Sequence, residues 1–151
     1  MLPPNISAEA WEQALAAFRR TVGDEWVFTS DEDTGLYRDA YSPVWDEPEE
    51  RLISAAVAPK SAEEVQVIVR TAHEHGIPVF PISTGKNLGY GGSAPNLSGS
   101  VIIDMKRMNK VIEVDDKRHF AIVEPGVSYF DLYRHIQDNN LNLSLIHISE
   151  P

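Results

Sequence analysis

The sequence contains no cysteine, which excludes disulfides, thiolate metal sites and a cysteine nucleophile. Cations are also scarce: 13 Lys and Arg stand against 23 Asp and Glu, and the formal net charge is -10. Because phosphate backbones are bound by clustered cations, no nucleic-acid partner is expected. No run approaches the ~20 apolar residues of a membrane span, and residues 1–5 lack the features of a signal peptide. We therefore expect no membrane contact and a cytoplasmic protein, with a periplasmic location still open.

Length and composition limit how the chain can be organised. Its 151 residues and 42% hydrophobic content suffice for one domain with a real core, and are too few for two. Residues 1–51 comprise a helix, with apolar residues at helical spacing over 7–22, and a connecting segment without a sustained period. Residues 52–142 carry the patterns of the main domain.

The first part of the main domain predicts a strand, a helix and a second strand. The nearly continuous apolar run at 52–58 is typical of a strand covered on both faces. Ser61 and Glu64 have capping-box spacing at the start of a helix that ends at Gly76. The short run 79–82 follows, so the two strands are expected to form a small parallel pair through a right-handed crossover.

The second part of the main domain predicts an antiparallel sheet and a helix. Three β-rich runs, at 101–104, 111–114 and 120–123, are interpreted as antiparallel strands of a second subdomain. Ser128 then begins a helix that ends near Asn139. The expected fold class is therefore α+β, with a small βαβ subdomain followed by an antiparallel sheet subdomain.

The last residues, 143–151, do not continue these patterns. They match, residue for residue, what one reading frame of a common transposon-derived sequencing adapter encodes. We therefore expect a non-native tail and a gene that continues past about residue 142. The alternative is a natural apolar strand.

Residues 81–92 are rich in glycine and are the most informative stretch. Glycine can adopt left-handed conformations, so several successive N–H groups can turn toward one point and bind a diphosphate. Ser83, Thr84 and Asn87 add neutral hydrogen-bonding groups, and Lys86 places one cation in an acidic chain. A flexible turn without function is the alternative.

Neither common nucleotide-binding motif fits this stretch. A Walker loop would need glycine at Phe80 and Ser or Thr at Asn87. The spacing of Gly85, Gly89 and Gly91 also differs from the Rossmann fingerprint, and no helical pattern follows. ATP hydrolysis and Rossmann-type dinucleotide binding are therefore excluded.

Histidine patterns do not predict a metal site. His73 and His75 are two residues apart on a predicted helix, so they point to different faces. His119 and His135 have no serine or carboxylate at the spacing of a known catalytic motif. We expect no metal.

The glycine-rich stretch and its neighbours resemble the FAD-binding domain of the vanillyl-alcohol oxidase and para-cresol methylhydroxylase (PCMH) family. Within this family, residues 87–91 are closer to the phenol-oxidising branch. The resemblance reaches back to the N-terminal helix and covers nearly all of the chain before residue 143. The segments that carry it are 56–59, 81–95, 99–105, 108–109 and 123–127.

The resemblance implies a PCMH-type domain of two α+β subdomains with FAD between them and the diphosphate on residues 83–89. It also implies that Tyr90 faces the substrate and hydrogen-bonds a phenolic oxygen, and that residues 123–127 lie close to the cofactor. A tyrosine packed under the loop is the alternative for Tyr90. The residues expected to bind FAD are Pro81, Ile82, Ser83, Thr84, Gly85, Lys86, Asn87, Leu88, Gly89 and Gly91.

The implied activity is oxidation of a 4-alkylphenol or 4-hydroxybenzyl alcohol by hydride transfer to FAD. This chain would be the N-terminal part of the enzyme, inactive by itself, and the parent a homo-oligomer with oxygen or a cytochrome subunit as electron acceptor. Two alternatives stay open: a flavin-linked 2-hydroxy-acid dehydrogenase on the same fold, and a non-catalytic flavin-binding module. No residue matches the family's motifs for covalent attachment of the flavin.

Overall fold

A computed structural model describes residues 1–86 and 92–143, and in it the chain forms a four-stranded sheet, a two-stranded sheet and four α-helices. The helices are α1 (Ala8–Val22), α2 (Asp31–Gly35), α3 (Ala62–Glu74) and α4 (Tyr129–Asp138). The strands are β1 (Val27–Phe28), β2 (Ala55–Val57), β3 (Val79–Ile82), β4 (Val101–Asp104), β5 (Val111–Asp115) and β6 (Phe120–Val123). Short 3-10 helices at Asp24–Trp26 and Met105–Arg107 follow α1 and β4. The α+β class predicted from the sequence is confirmed.

The four-stranded sheet has the order β1-β2-β4-β3. Strands β2, β4 and β3 are parallel, and β1 adds an antiparallel edge. The prediction that residues 101–104 belong to an antiparallel second sheet is wrong, because they form β4 of the parallel sheet. The predicted direct pairing of strands 52–58 and 79–82 is also wrong, because β4 lies between β2 and β3. The physical reason is burial: all four residues of β4 are buried, as expected for an inner parallel strand covered on both faces.

Helices α1 and α3 cover one face of this sheet. Ser7 and Ser61 cap them, each accepting a hydrogen bond from a first-turn backbone amide. Phe18 and Ile68 are fully buried between the helices and the sheet. The N-terminal helix thus shares one core with the helix of the strand-helix-strand unit.

The other face carries a smaller cluster. Successive residues of β4 point to opposite faces, so Val101 and Ile103 enter the α1–α3 core while Ile102 packs with Tyr37 and Ile82. Tyr37 comes from the connecting segment, which covers this face. Strand β1, which pairs with β2, and helix α2 both belong to this segment and were not predicted. Elements of two and five residues are too short to show a hydrophobic period in the sequence.

Strands β5 and β6 form an antiparallel hairpin with an irregularity between Val111 and Glu113. Helix α4 packs on it through Leu132 and Ile136, which contact residues of both strands in a third cluster. The two predicted strands of this hairpin and the helix after Ser128 are confirmed.

Candidate cofactor site

The predicted diphosphate loop begins where two parallel strands end. Ile82, the last residue of β3, pairs with Asp104, the last residue of β4. Ligands of parallel sheets bind outside the carboxyl ends of the strands. Residues 83–86 therefore leave the sheet at the edge where a ligand is expected.

Gly85 has the backbone conformation that the sequence analysis predicted for this loop. Its φ is +66°, in the left-handed region, and a β-carbon there would lie 2.1 Å from Ser93 Oγ. The Ser93 hydroxyl donates a hydrogen bond to the Gly85 carbonyl at 3.4 Å. The beginning of the loop and the residues after Gly92 are thus in contact, and the contact leaves no room for a side chain at position 85.

The turn at residues 124–127 forms a second side of the site. The Ser83 hydroxyl donates a hydrogen bond to the Pro125 carbonyl. The Gly126 amide donates to the Met108 carbonyl at 2.8 Å, and a β-carbon on Gly126 would lie 2.2 Å from the Met105 carbonyl oxygen. This close packing holds the turn beside residue 83, where the resemblance expects residues near the cofactor.

A small cavity of about 180 Å³ lies against the loop, bounded by residues 80–85 and Gly92. Sites for whole ligands usually enclose roughly 300–1,000 Å³, so this volume suits one group of a ligand, such as a diphosphate. Ser83, Thr84 and Gly85 line the cavity, where the Thr84 hydroxyl can donate to a ligand while the Ser83 hydroxyl donates to Pro125. The exposed Lys86, the next residue in the chain, is a cation.

The charge of Lys86 also acts on the first turn of α4. Hydrogen bonds from the Ser128 side chain and backbone hold the pKa of Asp131 below its ordinary value, and Arg134 and Lys86 lower it further. The positive charge of Lys86 thus adds a small favourable effect on the ionised form of Asp131.

The structure brings together the predicted cofactor-binding residues that it describes. Pro81, Ser83 and Lys86 are exposed, Thr84 and Gly85 are partly exposed, and Ile82 is buried in the core, so only its backbone is available to a ligand. The remaining predicted residues lie outside the described part of the chain: Asn87, Leu88, Gly89, Tyr90 and Gly91.

A polar cluster that the sequence analysis missed lies under this site. The buried Asp104 carboxylate accepts a hydrogen bond from the Tyr37 hydroxyl at 2.8 Å and contacts Lys106 Nζ at 3.0 Å. Burial, reinforced by the charge of Asp104, raises the pKa of Tyr37 well above its ordinary value. The carboxylate ending an apolar strand at Asp104 was a usable signal, since a buried charge needs partners. Nothing in the sequence around Tyr37 indicated its role.

Comparison with known proteins decides the family. A family model described as FAD binding domain matches residues 53–148. The chain belongs to this family of FAD-binding domains.

Two solved or curated members of the PCMH group resemble this FAD-binding domain over most of its length. The 4-cresol dehydrogenase (hydroxylating) flavoprotein subunit of Pseudomonas putida is 39% identical over 145 residues, which is 96% of this chain and 27% of that protein. The structure of 4-ethylphenol oxidase from Gulosibacter chungangensis superposes with a TM-score of 0.86 at 42% identity, covering 93% of this chain and 27% of that one.

A third relative is named for a different activity. The 1'-carboxy-chondrochloren decarboxylase of Chondromyces crocatus is 34% identical over 140 residues, which is 93% of this chain and 25% of that protein. The chain thus spans about a quarter of the length of the curated relatives it matches.

FAD is the cofactor of this FAD-binding domain, and the geometry of the site fits it. The left-handed Gly85, the absence of space for a β-carbon there, and the neighbouring hydroxyls and cation are the features that a diphosphate requires. Residues 83–86 would hold the diphosphate. The turn at 124–127 lies beside them.

The connecting segment of the FAD-binding domain is fixed by a second charged group. Arg38 pairs with Glu50 and Asp46 at 2.5 and 2.6 Å and lies 3.8 Å from the centre of the Trp45 ring. The hydrogen bonds from Arg38 hold the pKa of Glu50 below its ordinary value. A cavity of about 400 Å³ beside this group is lined by several carboxylates, including Asp31, which disfavours a diphosphate there.

Within residues 1–86 and 92–143, two kinds of feature are absent: a membrane-spanning helix and a cluster of metal-binding side chains. No helix in those ranges is long and apolar enough to cross a membrane. The same residues contain no group of three or more His, Asp or Glu side chains that could hold a metal ion.

Proposed function

We propose that this chain is part of a longer flavoprotein that oxidises 4-alkylphenols or 4-hydroxybenzyl alcohols. The observation that carries the proposal is sequence identity. The chain is 39% identical to a 4-cresol dehydrogenase subunit and 42% identical to a 4-ethylphenol oxidase, over 96% and 93% of its length. The loop that fits a diphosphate lies within this region. FAD, when bound, supplies the acceptor for the hydride that leaves the para-benzylic carbon of the substrate.

The residues of this chain bind and orient in the proposed reaction. Gly85 and the Thr84 hydroxyl provide a wall for the diphosphate, Ser83 holds this wall to the turn through its hydrogen bond to Pro125, and Lys86 offsets the negative charge. Tyr90, in the segment 87–91 that resembles the phenol-oxidising branch, donates a hydrogen bond to the phenolic oxygen. This bond stabilises the phenolate as the hydride leaves, because a preorganised donor acts on charge that develops in the reaction.

A substrate panel tests the proposed specificity. The complete flavoprotein should reduce an artificial electron acceptor with 4-cresol, 4-ethylphenol or vanillyl alcohol, and should show no turnover with D-lactate or D-2-hydroxyglutarate. Turnover of the hydroxy acids alone would instead support the dehydrogenase alternative. A protein that binds FAD but turns over neither class would be a non-catalytic module.

Replacement of Tyr90 tests its role. Tyr90→Phe should lower kcat for phenols by about 10²–10³-fold, the typical cost of losing one preorganised donor, while the Kd for FAD stays unchanged. Tyr133→Phe is a matched control, since Tyr133 is 52% exposed on α4. Equal losses of FAD affinity and activity in Tyr90→Phe would contradict the proposed role and indicate a structural residue.

We also propose that electrons pass from the flavin to a second subunit and that the flavoprotein is a homo-oligomer. The existence of a second subunit is supported by the Pseudomonas relative, which is the flavoprotein subunit of its enzyme. Anaerobic reduction with 4-cresol followed by addition of a c-type cytochrome should give rapid cytochrome reduction and slow oxygen consumption. Rapid oxygen consumption with formation of hydrogen peroxide would identify an oxidase instead.

A further inference from the structure

The cluster of Tyr37, Asp104 and Lys106 lies directly beneath the start of the diphosphate loop. Asp104 pairs across the sheet with Ile82, and Ile82 is followed by Ser83, the first residue of the loop. Tyr37 packs against Ile82 in the same apolar cluster. Any shift of Tyr37 or Asp104 therefore reaches the strand end that carries the loop.

The Asp104 carboxylate, although buried, is fully paired. Its Oδ2 atom accepts the Tyr37 hydroxyl at 2.8 Å and lies 3.0 Å from Lys106 Nζ, while Oδ1 accepts the Lys106 backbone amide at 3.0 Å. Lys106 Nζ is also 3.4 Å from the Tyr37 hydroxyl oxygen and 4.4 Å from the centre of the Phe28 ring. A buried charge of this kind is weak evidence for stability, because an apolar residue could fill the space, so its value lies in fixing geometry.

The connecting segment that carries Tyr37 also lies near Gly92. Two residues after Tyr37, the Asp39 Oδ1 atom lies 3.9 Å from the point where a β-carbon on Gly92 would be. Gly92 precedes Ser93, whose hydroxyl contacts the Gly85 carbonyl. Tyr37 and Asp104 are thus linked to Ile82, which precedes residues 83–86, and Tyr37 lies two residues from Asp39, which is near Gly92.

We infer that Tyr37, Asp104 and Lys106 are positioning residues. By fixing the position of residues 37–39 relative to the end of β3, they set the affinity of residues 83–86 for FAD. Tyr37, Asp104 and Lys106 act through the loop and need not touch the cofactor. The inference depends on the proposal that residues 83–86 hold the diphosphate. It assigns a role in cofactor binding to a segment that precedes the matched family region, which begins at residue 53.

The test uses FAD titrations of the complete flavoprotein after removal of the bound cofactor, followed by flavin fluorescence. Tyr37→Phe keeps the ring and removes only the hydroxyl, and should raise the Kd for FAD about tenfold, as expected for loss of a hydrogen bond to a charged group. Asp104→Asn should raise the Kd at least as much. Amide exchange at residues 83–86 in the FAD-free protein should become faster in both variants.

Two control variants separate positioning from general stability. Tyr133→Phe makes the same chemical change at an exposed site, and Ile68→Val removes one methyl group from the α1–α3 core, away from the loop. Both should bind FAD as the wild type does, even where Ile68→Val lowers Tm as much as Tyr37→Phe. Each titration is made well below the Tm of the variant, so that all of the protein is folded.

The outcomes distinguish this inference from the proposed site. Wild-type FAD affinity in Tyr37→Phe, or an equal loss in Ile68→Val at matched Tm, would overturn the positioning role while leaving the diphosphate site intact. If Asp104→Asn does not fold, Tyr37→Phe alone decides. A folded wild-type protein that binds no FAD would instead overturn the site itself.

Discussion

The four-stranded sheet with α1 and α3 differs from the hairpin with α4 in how much of its apolar surface is covered. In the first region β2 and β4 are buried at every residue. In the second, Ile112 is 64% exposed and Phe130 is 82% exposed. The first region therefore has a core of its own, whereas the second has apolar faces open in the part of the chain that the structure describes. Faces of this kind mark contact surfaces.

The difference also bears on the proposed cofactor site, whose residue Ser83 contacts the turn before α4. The loop leaves the first sheet at Ser83 and contacts the turn at Pro125, which precedes α4. Ser83 thus extends from the region whose parallel strands are buried and contacts the region whose apolar faces are more exposed. We expect the first region to define the loop geometry and the second to adjust to the ligand.

Truncation of core side chains should lower the free energy of unfolding the most, and should show whether the two regions unfold separately. Phe18→Ala is expected to cost about 3–5 kcal/mol, and Ile136→Ala about 2–5 kcal/mol, because Phe18 is fully buried and Ile136 is 1% exposed. Ile136→Ala should abolish amide-exchange protection in β5, β6 and α4 while β2 and β4 stay protected. Phe130→Ala, at an exposed site on α4, should change little.

Amide exchange measured by mass spectrometry checks this prediction. Phe18→Ala should lower protection in both regions. If Ile136→Ala lowers protection in β2 and β4 as strongly as in β5, the two regions unfold as one unit and the contrast between them does not hold.

Substitution of Gly85 should have the next largest effect. Gly85→Ala forces a side chain into the left-handed region, which costs about 1–2 kcal/mol, and it displaces the Ser93 hydroxyl from 2.1 Å away. Gly35→Ala is the matched control, because a β-carbon there meets nothing within 4 Å and alanine favours helix α2. Urea denaturation should show a lower free energy of unfolding for Gly85→Ala only; equal values for the two variants would contradict a constrained loop.

Helix caps give a smaller and directly comparable effect. Ser61→Ala in α3 and Ser128→Ala in α4 each remove a side-chain acceptor for a first-turn amide, at a cost of about 1 kcal/mol. Ser61→Ala should lower the midpoint of global unfolding. Ser128→Ala should lower only the local stability of α4, measured by amide exchange. A shift of the global midpoint by both variants would show that α4 is part of the main cooperative unit.

The pH dependence of α4 is the smallest expected effect. Hydrogen bonds from Ser128 lower the pKa of Asp131 in the folded state, so ionised Asp131 stabilises the fold above its unfolded pKa of about 3.9. That contribution is lost as the pH falls through the depressed folded pKa. The amide protection factors of α4, which correct the exchange rates for their intrinsic dependence on pH, should therefore fall over this acidic range in the wild type and change less in Asp131→Asn. The same profile in both proteins would contradict this linkage.

Much of the fold could be predicted from local patterns. The capping spacing of Ser61 and Glu64 located α3, and the run 79–82 coincides with β3. The strand at 101–104 was also predicted, but its pairing with β2 and β3 was not. An apolar run indicates a buried strand without indicating which strands lie beside it. The position of β4 between β2 and β3 is a tertiary property.

Local features of the candidate site could be predicted, whereas its role in cofactor binding stays a prediction. The left-handed Gly85 and the contact of Ser83 with Pro125 lie in stretches that the sequence analysis singled out. The contact of Tyr37 with Asp104 joins residues 67 positions apart, and no local spacing predicts such a pair. The roles assigned to Tyr90 and to the other residues of 87–91 remain predictions from the resemblance.

Comparison of FAD with riboflavin tests the central claim most directly, because riboflavin carries the same isoalloxazine ring and ribityl chain but lacks the diphosphate and the adenosine attached to it. The Kd of each ligand is measured for the complete flavoprotein, freed of cofactor, in the wild type and in Gly85→Ala. The account predicts that the wild type binds FAD far more tightly than riboflavin and that Gly85→Ala loses most of this preference while its affinity for riboflavin is unchanged. An undiminished preference for FAD in Gly85→Ala would show that the diphosphate is held elsewhere.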